Sequence, residues 1–298
     1  MRNSVRWAAV YETGSAEARG VLSDPPVSLT LMPPAKKRPR AYDFSRTRTA
    51  VLAQFAQVRE VVRTLTPEQL AGPAGPGGWT VRDLAEHLTT VIERVSSALE
   101  LPEPAGGPKP QLTLLEWPFS TAEGAGRTTD GTRAPAGEWP GLDSLYEETA
   151  ARFAALVPSD AGDRLVTTRA GTMRLGDFLV TRTVELVVHT DDLHRATGID
   201  IPYDRQALAA CTRLLADALA DRAPGGSVEV RIPPFAVVQC IGGPKHTRGT
   251  PPNVVETDPL TWVRLATGRA EWTRALEDAR VSASGERADL APLLPLTG

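Results

Sequence analysis

The sequence has only two cysteines, Cys211 and Cys240, among 298 residues. Two thiols do not build the disulfide framework typical of small secreted domains, so we expect a reducing, cytoplasmic location. Both cysteines are expected to pack as small apolar side chains rather than to react. No uncharged stretch approaches the roughly 20 residues that a membrane helix needs, and the first residues lack the order of a signal peptide. The sequence therefore predicts no membrane partner.

The chain also lacks a strong charge of either sign. Its formal net charge is -3, with 33 Lys and Arg against 36 Asp and Glu, which argues against nucleic acid as a partner. The short basic run at 36–40 lies in a Pro-rich segment and is expected to be a solvated arm. Hydrophobic residues make up 41% of the chain, and this length and composition suit a globular protein of two domains.

Residues 1–42 have no sustained hydrophobic period. We expect a disordered tail there, because Pro-rich basic sequence buries too little apolar surface to fold. Met32 is a second candidate for the translation start, in which case residues 1–31 lie upstream of the true start. From 43 to 198 the pattern becomes helical, and from 204 to 298 it mixes helical and strand-like segments. We predict two domains over these ranges.

Apolar residues at spacings of three and four predict four long helices in the first domain. They are expected near 44–65, 80–95, 142–157 and 175–198. Thr80 and Asp83 predict a capping box at the second helix. The long Gly- and Pro-rich connection 101–141 carries Trp117, Phe119 and Trp139, so we expect parts of it to fold back over the helices. Four helices with one long connection predict a four-helix bundle, a fold that builds metal sites from side chains on facing helices.

The fourth helical pattern carries a polar cluster on its inward face. Glu185 and His189 are four residues apart, a spacing that brings helical side chains together at about 5–6 Å between Cβ atoms. Arg182 lies one turn before them and Asp192 one turn after. A carboxylate and an imidazole in an apolar stripe are costly to bury unless they are paired or bind a metal. The alternative is a surface pair or a core histidine with satisfied hydrogen bonds.

A second histidine with an inward position is His87. It lies one turn from both Leu84 and Val91, so it points along the edge of the apolar face of its helix. His87 is therefore available to a site shared by two helices.

The two segments that carry these histidines resemble a known family. His87 in GGWTVRDLAEHL, followed by RTVELVVHTDDLHRATG, is similar to the metal-binding domain of the mycothiol-dependent maleylpyruvate isomerase family, a branch of the DinB-like four-helix bundles. The resemblance covers about 44–198 and implies that His87, Glu185 and His189 are the metal ligands. His194 departs from the family pattern, and we expect it to face away from the site and to be exposed.

The donor set agrees with this implication. Two imidazoles and one carboxylate suit a catalytic zinc, or another divalent metal, that keeps one open position. Asp192 is either a partner that orients a histidine or a surface charge, and the sequence does not decide. An open position suits a thiol, because metal coordination deprotonates it. With no cysteine near the motifs, the thiol must come from a small molecule, and the resemblance implies mycothiol.

The second domain is predicted to contain a helix at 205–222, strands at 228–232, 236–241, 254–257 and 281–284, and two short helices between the last strands. Its closing segment, ETDPLTWVRLATGRAEWTRALEDARVSASGE, resembles the bacterial sterol-carrier-like domain, which implies an apolar groove. The loop 242–249 carries His246 and Arg248, which are candidates for binding the cofactor through an anionic or sugar group; exposed loop charge is the alternative.

The sequence thus predicts an α+β protein, a DinB-like bundle followed by a small α/β domain. Its expected function is that of a mycothiol-dependent transferase or isomerase acting on a small electrophile. Two alternatives stay open. One is a zinc-dependent hydrolase in which Glu86 or Asp192 is the base. The other is a carrier of a lipid or other apolar ligand that uses the second domain.

Overall fold

The structure is a computed structural model that describes residues 40–75, 78–105, 109–124, 141–243 and 252–297, with side chains in these ranges except at 121–124. Most of the predicted tail 1–42 lies outside the described residues. The same holds for Trp139 and for the two candidate cofactor-binding residues, His246 and Arg248.

Four long helices build the N-terminal part, as the hydrophobic spacing predicts. They are α1 (Phe44–Val62), α3 (Val81–Glu100), α5 (Leu142–Leu156) and α6 (Leu175–Thr197), with the short helix α2 (Pro67–Ala71) between the first two. Helix α3 packs against α5 and α6, and α6 also packs against α1. Phe55 and Tyr146 stack in the shared core at 4.6 Å between ring centroids. The Tyr146 hydroxyl donates to the carbonyl oxygen of Ala85 at 2.8 Å, which ties α5 to α3 just before His87.

The predicted capping box at the start of α3 is present. The Thr80 hydroxyl accepts from the backbone N–H of Asp83 at 3.1 Å, and the Asp83 carboxylate accepts from the backbone N–H of Thr80 at 2.8 Å. Two N–H groups that the first helical turn leaves free are thereby satisfied. The cap fixes the start of α3 about two turns before His87.

The described part of the connection 101–141 includes a helix that its composition does not predict, α4 (Trp117–Gly124). Glu116 accepts hydrogen bonds from both the backbone N–H and the hydroxyl of Thr113, at 2.9 and 2.7 Å. This local pairing starts the helix without a long apolar period, which explains why the hydrophobic pattern misses it. Trp117 is 5% exposed, as expected for a segment that folds back over the bundle.

Helix α6 follows directly on a hairpin. The strands β1 (Leu165–Thr168) and β2 (Gly171–Arg174) pair antiparallel. Helix α6 ends at Gly198, which has a φ of +70°, a left-handed conformation that glycine adopts without steric cost. Fifteen of its 23 residues are buried, so α6 is the central helix and its polar side chains must find partners inside the protein.

The C-terminal part combines helices with one sheet. Helix α7 (Arg205–Arg222) is followed by β3 (Val228–Ile232), β4 (Ala236–Cys240), β5 (Val254–Thr257), α8 (Pro259–Ala266), α9 (Trp272–Glu277), β6 (Val281–Ser284) and a 3-10 turn (Ala291–Leu293). The strand order is β4-β3-β5-β6. Strands β3 and β5 pair parallel, and the other two pairings are antiparallel. The predicted α+β class, a helical bundle followed by a smaller part with a sheet, is confirmed.

Helix α7 contacts both parts of the chain. It packs against α6 and α1 on one side and against β4 and α8 on the other. The predicted domain boundary between 198 and 204 therefore stays a prediction. Within the described ranges, no helix is long and apolar enough to cross a membrane.

Candidate metal centre

The site lies where α3 meets α6. The ring centroids of His87, on α3, and His189, on α6, are 4.8 Å apart with an interplanar angle of 85°. The Nε2 atom of His189 lies 3.4 Å from Oε2 of Glu185. One ligand atom from each of His87, Glu185 and His189 can be chosen so that all three lie within 4.8 Å of one another. The structure thus brings the three candidate ligands together, and their role as ligands remains a proposal.

Burial keeps the His87 imidazole neutral. Its pKa falls to about 3, because burial disfavours the charged ring and the nearby charge of His189 acts in the same direction. The ring of Trp79 lies 5.0 Å from that of His87 and covers one side of it. A neutral imidazole offers a nitrogen lone pair, which is the form that binds a metal.

The surroundings keep Glu185 ionised. Its side chain is 21% exposed, and burial by itself raises the pKa of a carboxyl group. The hydrogen bond to His189 and the charges of Arg182 and His189 outweigh burial and hold the pKa of Glu185 below its ordinary range. The candidate site therefore pairs a neutral imidazole with a carboxylate that is ready to bind a cation.

The outer nitrogen of His189 has a buried carboxylate as its partner. Nδ1 of His189 lies 3.0 Å from Oδ2 of Asp192, whose side chain is only 6% exposed. Burial by itself lowers the pKa of His189, but the bonds to Asp192 and Glu185 outweigh it and raise the pKa. A carboxylate on the far nitrogen is the usual way in which proteins orient a metal-binding histidine. Asp192 is therefore a buried partner of His189 and not a surface charge.

Arginines from the C-terminal part hold Asp192. Arg269 donates from Nε to Oδ1 at 3.0 Å and from Nη2 to Oδ2 at 2.8 Å. Arg195, one turn along α6, donates to Oδ1 from Nη2 at 2.5 Å. Sequence reasoning missed Arg269 because it lies 77 positions from Asp192, in the closing segment of the second domain, where no local pattern links it to α6.

Arg182 lies on the other side of Glu185. Its guanidinium stacks on the ring of Phe178 at 4.6 Å, and its Nη2 atom is 4.0 Å from Oε1 of Glu185. Among the described residues, its Nη1 atom has no hydrogen-bond partner. Burial lowers its pKa to about 10, so Arg182 keeps its positive charge beside the cluster near neutral pH.

The remaining candidates do not join this cluster. Glu86 pairs with Arg82 at 3.1 Å on the partly exposed side of α3. His194 bonds through Nδ1 to the carbonyl oxygen of Ile199 at 2.9 Å, and its side chain is 37% exposed. Cys211 and Cys240 are buried, as predicted, and burial raises the pKa of both thiols, that of Cys240 to about 11.

Two family models match the chain side by side. Residues 51–194 match the mycothiol maleylpyruvate isomerase N-terminal domain, and residues 204–296 match the bacterial SCP ortholog. These matches confirm the resemblance recognised from the sequence. They also confirm, at the level of the family, the prediction of an enzyme.

Solved structures give a weaker likeness. A crystal structure of the mycothiol-dependent maleylpyruvate isomerase is 17% identical, with a TM-score of 0.48, over 83% of this chain and 95% of that one. A mutant of that isomerase is 16% identical, with a TM-score of 0.45 and the same coverage. No curated protein matches the chain.

Proposed function

Because residues 51–194 carry a mycothiol maleylpyruvate isomerase N-terminal domain and residues 204–296 a bacterial SCP ortholog domain, we propose that the chain is a zinc-dependent enzyme that uses mycothiol on a small electrophile. The reaction is a thiol transfer or a thiol-assisted isomerisation. The observation that carries the proposal is the convergence of His87, Glu185 and His189 within 4.8 Å.

The donor geometry supports zinc. Ligand atoms bonded to one tetrahedral zinc at about 2.0–2.2 Å lie about 3.3–3.6 Å apart. The pair formed by Nε2 of His189 and Oε2 of Glu185, at 3.4 Å, has this spacing already. His87 completes the set, with a ligand atom within 4.8 Å of the other two. Two nitrogens and one oxygen leave a fourth position for a ligand from solution, as in catalytic zinc sites.

The charges of the site support an anionic ligand at that position. When bound, a divalent zinc makes a coordinated thiol ionise near neutral pH. Neutral His87 and His189 with ionised Glu185 offset only one of the two metal charges. Arg182 adds a cation 4.0 Å from Glu185, and the ring of Phe178 excludes water from one side of that guanidinium. A thiolate therefore meets a net positive site.

The protein itself does not supply the thiol. Cys211 and Cys240 are 0% exposed, and burial keeps both protonated at neutral pH. The thiol must enter from solution, which supports the use of mycothiol.

The first experiment measures metal content. The purified protein is expected to hold about one zinc per chain, and His87→Ala, Glu185→Ala and His189→Ala are expected to lose it. His194→Ala is the matched control, because this histidine also lies on α6 but contacts Ile199 instead of the cluster. Wild-type zinc content in all three ligand variants would refute the site.

The second experiment tests the thiol. Mycothiol added to cobalt-substituted protein is expected to produce a sulfur-to-metal charge-transfer band, which oxygen ligands do not give. Arg182→Met is expected to weaken mycothiol binding while the cobalt remains bound. Absence of the band, together with turnover that does not depend on a thiol, would refute the proposal and favour the hydrolase.

The two alternatives lack support among the described residues. Of the two candidate bases of a hydrolase, Asp192 is fully engaged by His189, Arg195 and Arg269, and Glu86 pairs with Arg82 on the partly exposed side of α3. In the described C-terminal part, the exposed large hydrophobic residues are only Val237 and Leu276, and the cavity beside Leu276 is also bordered by the charged residues Glu286 and Asp289, which does not favour a purely apolar ligand. The zinc, the mycothiol, the small electrophile and the cytoplasmic location all remain part of the proposal.

A further inference from the structure

Two neighbouring aspartates near the end of α6 are buried and bound by arginines from the C-terminal part. Asp191 is 1% exposed and Asp192 is 6% exposed. Arg264 donates to Asp191 from Nε at 2.9 Å and from Nη2 at 2.5 Å. Arg269 donates to both oxygens of Asp192. Ion pairs of this kind satisfy buried charge, and by themselves they indicate only that the two parts of the chain are fastened together.

The two pairs differ in what lies beyond the carboxylate. Asp192 accepts from Nδ1 of His189 at 3.0 Å. The further contacts of Asp191 are with Arg195 at 3.3 Å and with the hydroxyl of Tyr203 at 3.4 Å. A continuous chain of contacts therefore runs from Arg269 through Asp192 to His189, whereas Asp191 does not contact His189 and is linked to it only through Arg195 and Asp192.

We propose that Arg269 is a positioning residue of the metal centre: through Asp192, the C-terminal part holds His189 with its Nε2 lone pair turned toward Glu185 and His87. This inference rests on the proposed metal site. It adds that the bundle carries all three ligands but does not by itself orient them.

Shared hydrogen bonds of Asp192 set the orientation of His189. Oδ2 of Asp192 accepts from both Arg269 and His189, so the plane of the carboxylate is set by the fork of the arginine. Arg269 is itself anchored, because its Nη1 atom donates to the carbonyl oxygen of Thr267 at 3.0 Å. With the carboxylate fixed, Nδ1 of His189 carries the proton, and the metal-facing nitrogen is Nε2, 3.4 Å from Glu185.

Without Arg269, Asp192 keeps a cation on one side only. Arg195 then holds Oδ1 alone, and its side chain is 42% exposed. A single exposed partner does not fix the plane of a carboxylate, so Asp192 turns toward Arg195 and Nδ1 of His189 loses its acceptor. The expected result is a weaker metal site in a protein that is otherwise folded.

The test compares Arg269→Gln with Arg264→Gln. Each variant breaks one buried aspartate–arginine pair between α6 and the C-terminal part, so both are expected to lower the melting temperature of the metal-free protein to a similar extent. Zinc affinity, measured by competition with a chelator, is expected to fall about 10- to 100-fold in Arg269→Gln, the usual effect of removing the support of a metal ligand. In Arg264→Gln it is expected to stay within about twofold of wild type.

A third variant covers the case in which Arg269→Gln does not fold. Arg269→Lys keeps the charge but replaces the planar fork by a single ammonium group, and it is expected to give a zinc affinity between those of wild type and Arg269→Gln. The tautomer of His189, read from nitrogen-15 NMR of the metal-free protein at a pH high enough for the ring to be neutral, is expected to be the Nδ1–H form in wild type and Arg264→Gln, and mixed in the Arg269 variants.

The outcomes separate this inference from the proposed function. A wild-type protein that binds no zinc refutes the proposed function. A wild-type protein that binds zinc, with equal affinity in the Arg269 and Arg264 variants and an unchanged tautomer, overturns the role of Arg269 and leaves the metal site intact.

Discussion

Buried charges in the two halves of α6 differ in how closely they are paired with opposite charges. Near its end, Asp191 and Asp192 are each held by an arginine of the C-terminal part at 2.5–3.1 Å. Near its middle, Arg182 is 3% exposed, yet its nearest carboxylate in the described structure is Glu185 at 4.0 Å. The ion pairs of the C-terminal half hold α6 against the C-terminal part. In the N-terminal half, Arg182 lies beside the candidate site without a carboxylate at hydrogen-bond distance among the described residues, so under the proposed function it is available to an anionic ligand.

The largest change in the free energy of unfolding is expected when a buried carboxylate near the end of α6 is removed. Asp191→Ala leaves Arg264 without its partner and is expected to lower the free energy of unfolding by about 3–5 kcal/mol, the range seen when one member of a buried pair is removed. Equilibrium unfolding of the metal-free protein in urea measures it. Asp200→Ala, whose side chain is 98% exposed, is the control without effect. A loss of less than about 1 kcal/mol at Asp191 would show that this end is not held by its ion pairs.

Removing the charge of Arg182 is not expected to lower the free energy of unfolding. Arg182→Met keeps the bulk that packs on Phe178 and removes a buried cation that is held only by the Thr181 hydroxyl and, at 4.0 Å, by Glu185, so the free energy of unfolding is expected to stay unchanged or to rise by about 1 kcal/mol. The same urea titration measures it. Arg174→Met, at an arginine with a side chain 42% exposed, controls for the substitution itself. A clear loss of stability at Arg182 alone would remove the contrast between the two halves.

The smallest change in the free energy of unfolding is expected for Arg195, a partly exposed residue that contacts both Asp191 and Asp192. Its side chain is 42% exposed, so Arg195→Gln is expected to cost only about 0.2–1 kcal/mol. Because salt screens exposed charges, the difference from wild type is expected to shrink between low salt and 1 M salt, where the screening length is about 3 Å. A difference that persists at 1 M salt would mean that Arg195 acts as a buried partner, like Arg264.

Features of the fold that depend on residues close in the sequence were predictable, and contacts between distant residues were not. The capping box of Thr80 and Asp83, the four long helices and the hairpin at Gly171 depend on neighbours within a few residues, and their patterns are visible in the sequence. Helix α4 was missed because it starts on a side-chain pairing between Thr113 and Glu116 and not on a hydrophobic period.

At the candidate site, the spacing of residues in the sequence is enough to predict which side chains share one face of a helix. Glu185 and His189 meet because the helix repeats every 3.6 residues, and His87 follows the apolar face of α3 by the same rule. Their approach to each other required only that the two faces pack together, which is how both helices bury their apolar surface.

The tertiary structure alone decided which charges are partnered. Asp191 and Asp192 are adjacent in the sequence and chemically alike, and no local pattern assigns Arg264 to one and Arg269 to the other across more than 70 positions. Their partners follow from the packing of α8 on α7, which brings Arg264 and Arg269 to the end of α6, and only Asp192 contacts His189 directly. Helical periodicity fixes which side chains share a face of one helix, and it places Glu185 and His189 together. The pairing of distant charges depends on the packing of whole elements, and this packing gave Asp192 its arginine partners.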